Sequence, residues 1–179
     1  PYIQKLSYFF HSGITSLIDA VYNKSKIAVV ILDNRITAMT GHQQNPGTGK
    51  TLSGEVSPVV DIEQIVRAVG VKQENIRVVD PYDLSETQEA LKKAYEATEP
   101  FVIIAKRPCA LIKEVQKLRA NLKCTINQDK CTKCKACLKL GCPAIAFKDD
   151  TMVIDQASCN GCTLCMQVCK VHAVERVGE

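Results

Sequence analysis

At 179 residues, with 46% hydrophobic and 23% charged side chains, the chain has room for one ordinary domain and a smaller one. Its formal net charge of +4 is modest and scattered, which gives no electrostatic case for nucleic acid or a membrane surface as partner. No apolar run approaches the roughly 20 residues that cross a bilayer, and the opening residues do not have the pattern of a signal peptide.

Pro1 leads straight into apolar sequence without an initiating methionine, as expected of a fragment of something longer. Between Ser16 and Tyr22 the order Leu17-Ile18-x-Ala20-Val21 predicts a helix packed on a sheet. Ile27–Leu32 is short, continuous and β-branched, and predicts a buried parallel strand. From Asp33 to about Pro58 the sequence carries Gly41, Pro46, Gly47, Gly49 and Gly54, so a long irregular loop is expected. Loops of that length inside a compact domain are usually functional. Asp61-x-x-Gln64 then caps a helix with Ile62, Ile65, Val66 and Val69 inward, and Ile76–Val79 reads as a strand. Ser85-x-x-Gln88 is expected to cap a second helix running through Ala97, followed by a buried strand at Phe101–Ala105. This alternation is that of an α/β parallel sheet. Ligands of such sheets sit at the carboxyl ends of the strands, where the loop after Leu32 lies.

Pro108 ends the sheet domain, Ala110–Leu122 reads as a helix or tether, and Cys124–Gln128 and Thr151–Asp155 read as strands of a small second domain. The expected division is a domain over 1–107, a linker over 108–123 and a second domain over 124–179. A segment of roughly 55 residues buries too little surface to stand on an apolar core alone, and bound metal is the usual substitute.

The second domain carries the metal signature. It reads Cys131-x-x-Cys134-x-x-Cys137-x4-Cys142-Pro143, then Cys159-x-x-Cys162-x-x-Cys165-x3-Cys169. The two runs are near-copies, and Cys142-Pro-Ala-Ile-Ala answers Cys169-Lys-Val-His-Ala. Zinc sites usually pair two CxxC halves or mix in histidine. A third cysteine at the same interval suits a cubane, whose four iron corners need three close ligands and one distant one. Eight of the ten cysteines in cluster spacing point to a reducing cytoplasm.

The arrangement resembles the two-cluster bacterial ferredoxins, in which each run gives three thiolates to its own 4Fe–4S cluster and the fourth to the other. The resemblance implies Cys131, Cys134, Cys137 and Cys169 for the first cluster. It implies Cys159, Cys162, Cys165 and Cys142 for the second. The first run has one residue more than usual before Cys142, and Lys170 stands where the pattern has proline.

The stretch Asp33-Asn34-Arg-Ile36-Thr-Ala-Met-Thr40-Gly41-His42-Gln43-Gln-Asn-Pro-Gly-Thr-Gly49 resembles the thiamine-diphosphate loop of the 2-oxoacid:ferredoxin oxidoreductases. Within that family it is most similar to the large subunits acting on indolepyruvate, which also end in a two-cluster module. The resemblance implies an α/β fold with a partial thiamine-diphosphate-binding parallel sheet, followed by a small α+β ferredoxin-like domain. It implies Mg2+ bound by Asn34 and the Ile36 carbonyl, and diphosphate bound by Thr40, Gly41 and Gln43, with His42 as a catalytic candidate. The implied reaction is oxidative decarboxylation of an aryl 2-oxoacid to acyl-CoA and CO2, with electrons passed through the clusters to ferredoxin. A smaller beta subunit and coenzyme A are implied as partners. One departure is plain. The family has a Gly-Asp pair just before the Phe9-Phe10-His11-Ser12-Gly13 segment, the Asp being a Mg2+ ligand, and here Lys5-Leu6 stands in its place.

Other signals carry less. Gly49-Lys50-Thr51 mimics the end of a P-loop, but Gln44 occupies the position of its first glycine. His11 is a weaker candidate than His42, and His172 reads as surface. Cys109 and Cys124 fall outside both runs and read as ordinary buried or tethering thiols, with a place facing the cofactor as the alternative for Cys109. Lys130, Lys133, Lys135 and Lys139 crowd the first run while the second has only Lys170, an asymmetry expected to attract an acidic electron carrier.

Overall fold

The computed structural model describes residues 2–178. They form two compact units that divide between Cys109 and Ala110, each with its own core.

The first unit is a four-stranded parallel sheet in the order β1-β2-β4-β3. Its strands are β1 Tyr2–Lys5, β2 Ala28–Asp33, β3 Ile76–Val79 and β4 Phe101–Lys106. Parallel neighbours need crossovers, and helices supply them. The first runs from α1 (Leu6–Tyr8) through a π-helical turn, Phe9–Gly13, into α2 (Ile14–Tyr22). Gly13 is where that run passes the sheet. A Cβ there would stand 2.2 Å from the Gln4 side-chain oxygen, so the glycine admits that buried amide. On this face Leu6, Phe9 and Leu17, with Ile62 and Val66 of α3 (Ile62–Ala68), pack on Val29, Ile31, Val102 and Ile104. On the other face Ala90 and Ala94 of α4 (Leu84–Glu96) lie against Val79, Phe101, Ile103 and Ala105. β4 is buried from Phe101 to Ala105, as covered central strands are.

α3 begins where Asp61 accepts from the Glu63 and Gln64 amides. α4 starts two residues earlier than expected, capped by Asp83 rather than Ser85, because the Asp83 carboxylate accepts from the Glu86 amide at 2.9 Å. An ionised cap outcompetes a hydroxyl two positions on.

The second unit opens with α5 (Lys113–Arg119) and a 3-10 turn, Ala120–Leu122. The segment expected as a helix or tether is therefore part of this unit. β5 (Cys124–Ile126) pairs antiparallel with β8 (Val174–Arg176), and β6 (Ile145–Lys148) with β7 (Thr151–Ile154). Asp149 and Asp150, at φ 45° and 56°, make the tight turn of the second hairpin. One further helix, α6 (Leu164–Val168), carries Cys165. The core consists of Cys124, Ile126, Cys137, Ile145, Met152, Cys165 and Val174. With three thiols among seven buried side chains it is too small to hold a fold by apolar burial alone.

Candidate functional site

The loop after β2 starts with an ion pair. Asp33 is 3% exposed at the strand end. It accepts from the Arg35 amide at 3.2 Å and pairs with the Arg35 guanidinium at 3.3 Å. Arg35 in turn donates to the Gly47 carbonyl at 3.1 Å, so one side chain ties the middle of the loop to the end of β2. Between them Thr37 and Gln43 exchange backbone hydrogen bonds of 3.1 and 3.2 Å, closing a hairpin over Thr40, Gly41 and His42. Gly41 at φ 113° and His42 at φ 61° turn its tip. The Phe10 ring lies where a Cβ on Gly47 would stand at 3.1 Å, so the segment after β1 and the loop after β2 meet. Sequence reasoning missed the Asp33–Arg35–Gly47 lacing. Its only trace is an arginine placed directly after Asp33-Asn34.

The expected cofactor residues thus share one loop at the carboxyl end of β2. A cavity of about 870 Å³, its open mouth included, lies at the ends of β2, β3 and β4, lined by Asp33, Arg35, Gly47, Asp61, Val78 and Lys106; none of the expected cofactor residues lines it. Thr40 donates to the Gln43 side-chain oxygen at 2.6 Å, and the Gln43 amide donates back to the Thr40 carbonyl. These donors suit phosphate oxygens once they exchange that mutual contact. His42 is exposed at the hairpin tip, and His11 is exposed on the π-helical turn.

Magnesium is a different matter, because it demands an octahedron of oxygens. The Asn34 side-chain oxygen already accepts from the Ile36 amide at 3.4 Å, and the one other ligand that the resemblance implies from this loop is the Ile36 carbonyl. Where the resemblance calls for a carboxylate, Leu6 is 1% exposed in the apolar core. Lys5, just before it, reaches the Met39 sulfur and brings an ammonium over the loop. The residues present suit a diphosphate and do not make a Mg2+ site.

In the second unit the thiols gather. Cys131, Cys134, Cys137 and Cys169 line one apolar cavity of about 330 Å³, mouth included, together with Ile126 and Val174. Cys169 comes from the far run, carried there by the turn after α6, and its sulfur accepts from the Ala173 amide at 3.2 Å. Burial pushes the Cys137 thiol up, with the charges of Cys169, Cys131 and Cys134 adding to it. The Ala136 amide holds the exposed Cys134 below the usual thiol range, which favours the thiolate that iron needs. Burial pushes Cys165 strongly up, and the charges of Cys124, Cys162 and Cys159 act on it in the same direction. Cys142 packs into the same apolar cluster. Cys124, outside both cysteine runs, is fully buried there and hydrogen-bonded to Cys165. Its sequence signal was burial alone.

Among the described residues no three His, Cys, Asp or Glu side chains converge on a point that could hold a single metal ion. Four thiols standing around a space, as Cys131, Cys134, Cys137 and Cys169 do, are instead the donor chemistry of an iron–sulfur cube, which keeps its ligands at outer corners.

Comparison with known proteins places these features. Residues 7–105 match the family described as thiamine pyrophosphate enzyme, C-terminal TPP binding domain. Residues 152–175 match the 4Fe-4S binding domain. The chain is 44% identical over 179 residues to the indolepyruvate oxidoreductase subunit IorA of Pyrococcus abyssi, covering 97% of this chain and 27% of that protein. It is 39% identical over 174 residues to the subunit of the same name in Methanothermobacter thermautotrophicus, with the same shares covered. The pyruvate synthase subunit PorD of Methanocaldococcus jannaschii is 37% identical over 57 residues, 30% of this chain and 65% of that one. The chain thus spans about a quarter (27%) of the length of its IorA relatives.

Proposed function

Because the chain belongs to the thiamine pyrophosphate enzymes through the C-terminal TPP-binding domain at residues 7–105, we propose that it works within a 2-oxoacid:ferredoxin oxidoreductase whose substrate is indolepyruvate. Thiamine diphosphate, when bound, supplies an electron sink for the 2-oxo carbon, so that loss of CO2 leaves two electrons to remove while coenzyme A takes the acyl group. The chain's own part is placement. The hairpin over Thr40–Gln43 offers neutral hydrogen-bond donors to the diphosphate, Gly41 lets the backbone come close, and the Asp33–Arg35 pair fixes the loop on the sheet. His42, at the tip, is the side chain free to meet a substrate. Cys131, Cys134, Cys137 and Cys169 hold one cube, and Cys142, Cys159, Cys162 and Cys165 the other. Two one-electron acceptors match a two-electron oxidation that is handed on to a one-electron carrier. A smaller subunit completes the enzyme in this reading, and the compartment is the cytoplasm.

The observation that carries the reading is the crossing of Cys169 into the cavity lined by Cys131, Cys134 and Cys137. Only an interleaved pair of clusters needs that exchange. The 57-residue likeness to a pyruvate synthase subunit supports electron transfer by the second unit and says nothing of the substrate. Anaerobic protein with its partner subunit should lose visible cluster absorbance on addition of indolepyruvate and coenzyme A. Bleaching by pyruvate alone would reassign the substrate.

One observation favours a second reading, an electron-transfer part without thiamine activity. Leu6 is buried where a metal-binding carboxylate is needed, and Lys5 stands beside it. Titration with thiamine diphosphate, with and without Mg2+, separates the two. Absence of binding in both conditions supports the second.

A further inference from the structure

The two cysteine loops share one backbone form and differ in what covers them. In Cys131-Thr132-Lys133-Cys134-Lys135 the residues Lys133 and Lys135 have φ of 54° and 58°. In Cys159-Asn160-Gly161-Cys162-Thr163 the matching residues, Gly161 and Thr163, have φ of 67° and 60°. The same left-handed conformation therefore holds lysine in one loop and glycine in the other. Conformation alone does not demand that glycine; its neighbour does. A Cβ on Gly161 would stand 2.6 Å from the Arg119 carbonyl oxygen and 3.2 Å from Leu122 Cβ, and backbone at that distance cannot give way. The end of α5 and its 3-10 turn thus lie directly on the second loop, and Gly161 is buried beneath them. Nothing within this unit covers the first loop in that way: Thr132, Lys133, Cys134 and Lys135 are all exposed.

Charge follows the same division. The first loop carries Lys130, Lys133, Lys135 and Lys139, and no charged residue lies between Cys159 and Cys169. Lys130 pairs with Glu175 at 2.6 Å and Lys133 with Asp150 at 2.5 Å. Lys135 sits over the Phe147 ring at 4.0 Å and also acts on the Asp150 carboxyl, while Lys139 forms no ion pair among the described residues. The exposed thiol of the first set, Cys134, lies between Lys133 and Lys135.

We propose that the exposed loop Thr132–Lys135, with Lys139, is the docking surface for a small acidic one-electron carrier, and that electrons leave the chain from the cluster of Cys131, Cys134, Cys137 and Cys169. The step is simple in balance: the cluster is oxidised by one electron, the carrier is reduced by one, and no bond or proton moves. The capped second cluster is then the inner member of the pair. This rests on the two-cluster reading above.

The test uses the cluster-loaded full chain and an oxidised, acidic bacterial ferredoxin as probe. In the double variant Lys135→Glu/Lys139→Glu, the dissociation constant at low salt should rise about tenfold or more, and its dependence on salt should flatten. Asn160→Glu, at an exposed position of the second loop, should change it less than about twofold. Carbodiimide cross-links to the ferredoxin should map to Lys133, Lys135 or Lys139. Iron content is measured for every variant. Equal weakening by Asn160→Glu, or no weakening by the double variant at full iron content, overturns the proposal. Wild-type protein that takes up no iron–sulfur cluster overturns the two-cluster reading itself and this surface with it.

Discussion

At the scale of single residues, chemistry separates thiols that spacing alone cannot rank. The runs of three in Cys131–Cys137 and Cys159–Cys165 stand out in the sequence because a regular interval needs no fold to be seen. The place of Cys124 was not visible in the same way. It is one cysteine at the start of a strand, and only the pairing of β5 with β8 carries it to Cys165. A buried thiol beside a cluster ligand differs from a ligand, and substitution tells them apart. Cys142→Ser is expected to strip iron from the second cube, because a thiolate corner is lost. Cys124→Ala should keep both cubes, with at most a shift in one reduction potential from the lost contact with Cys165. Iron analysis with EPR of the reduced protein reads both outcomes. Iron lost from Cys124→Ala and retained by Cys142→Ser would exchange the two roles.

At the scale of elements, the strands and helices of the first unit were legible wherever one physical preference dominated. Ile76–Val79 was placed to the residue, and the Phe101 strand to within one, because β-branched runs bounded by polar residues have few alternatives. The start of α4 was misplaced from Asp83 to Ser85, since both are capping residue types and only geometry chooses between them. β1 was not read from its own residues at all: Tyr2–Lys5 is short and mixed, and the parallel pairing with β2 defines it. The segment Ala110–Leu122 read as a helix or a tether, and Lys113–Arg119 is helical. Its task is local, to lie on Gly161, and a single glycine is the only sign of that in the sequence. Gly161→Ala should therefore destabilise the second unit well beyond the ~1 kcal/mol of a left-handed alanine. Gly141→Ala has the same handedness, φ 65°, but open space around its Cβ, and should stay near that figure. Denaturant midpoints of the loaded proteins compare them. Equal losses would mean that the α5 segment does not press on the loop.

At the scale of the whole molecule, the chain joins two chemistries that each sequence half announces in a different way. The cysteine runs announce theirs by type and interval. The sheet unit announces its own through a loop whose glycines and amides resemble a cofactor loop, and through a family match over residues 7–105. The two signals differ in how far the structure supports them. Cys131, Cys134, Cys137 and Cys169 standing around one cavity fit an iron–sulfur cube, whereas the loop offers donors suited to a diphosphate and lacks the carboxylate that would complete a magnesium site. No helix among the described residues is long and apolar enough to cross a membrane. The central claim is that two interleaved cubes hold the second unit together and carry electrons. The most direct test is the iron and acid-labile sulfide content of anaerobically purified chain. The account predicts brown protein with about eight irons and about eight sulfides per chain, unfolding at the second unit when the metal is chelated. Colourless protein containing stoichiometric zinc and no sulfide would contradict it.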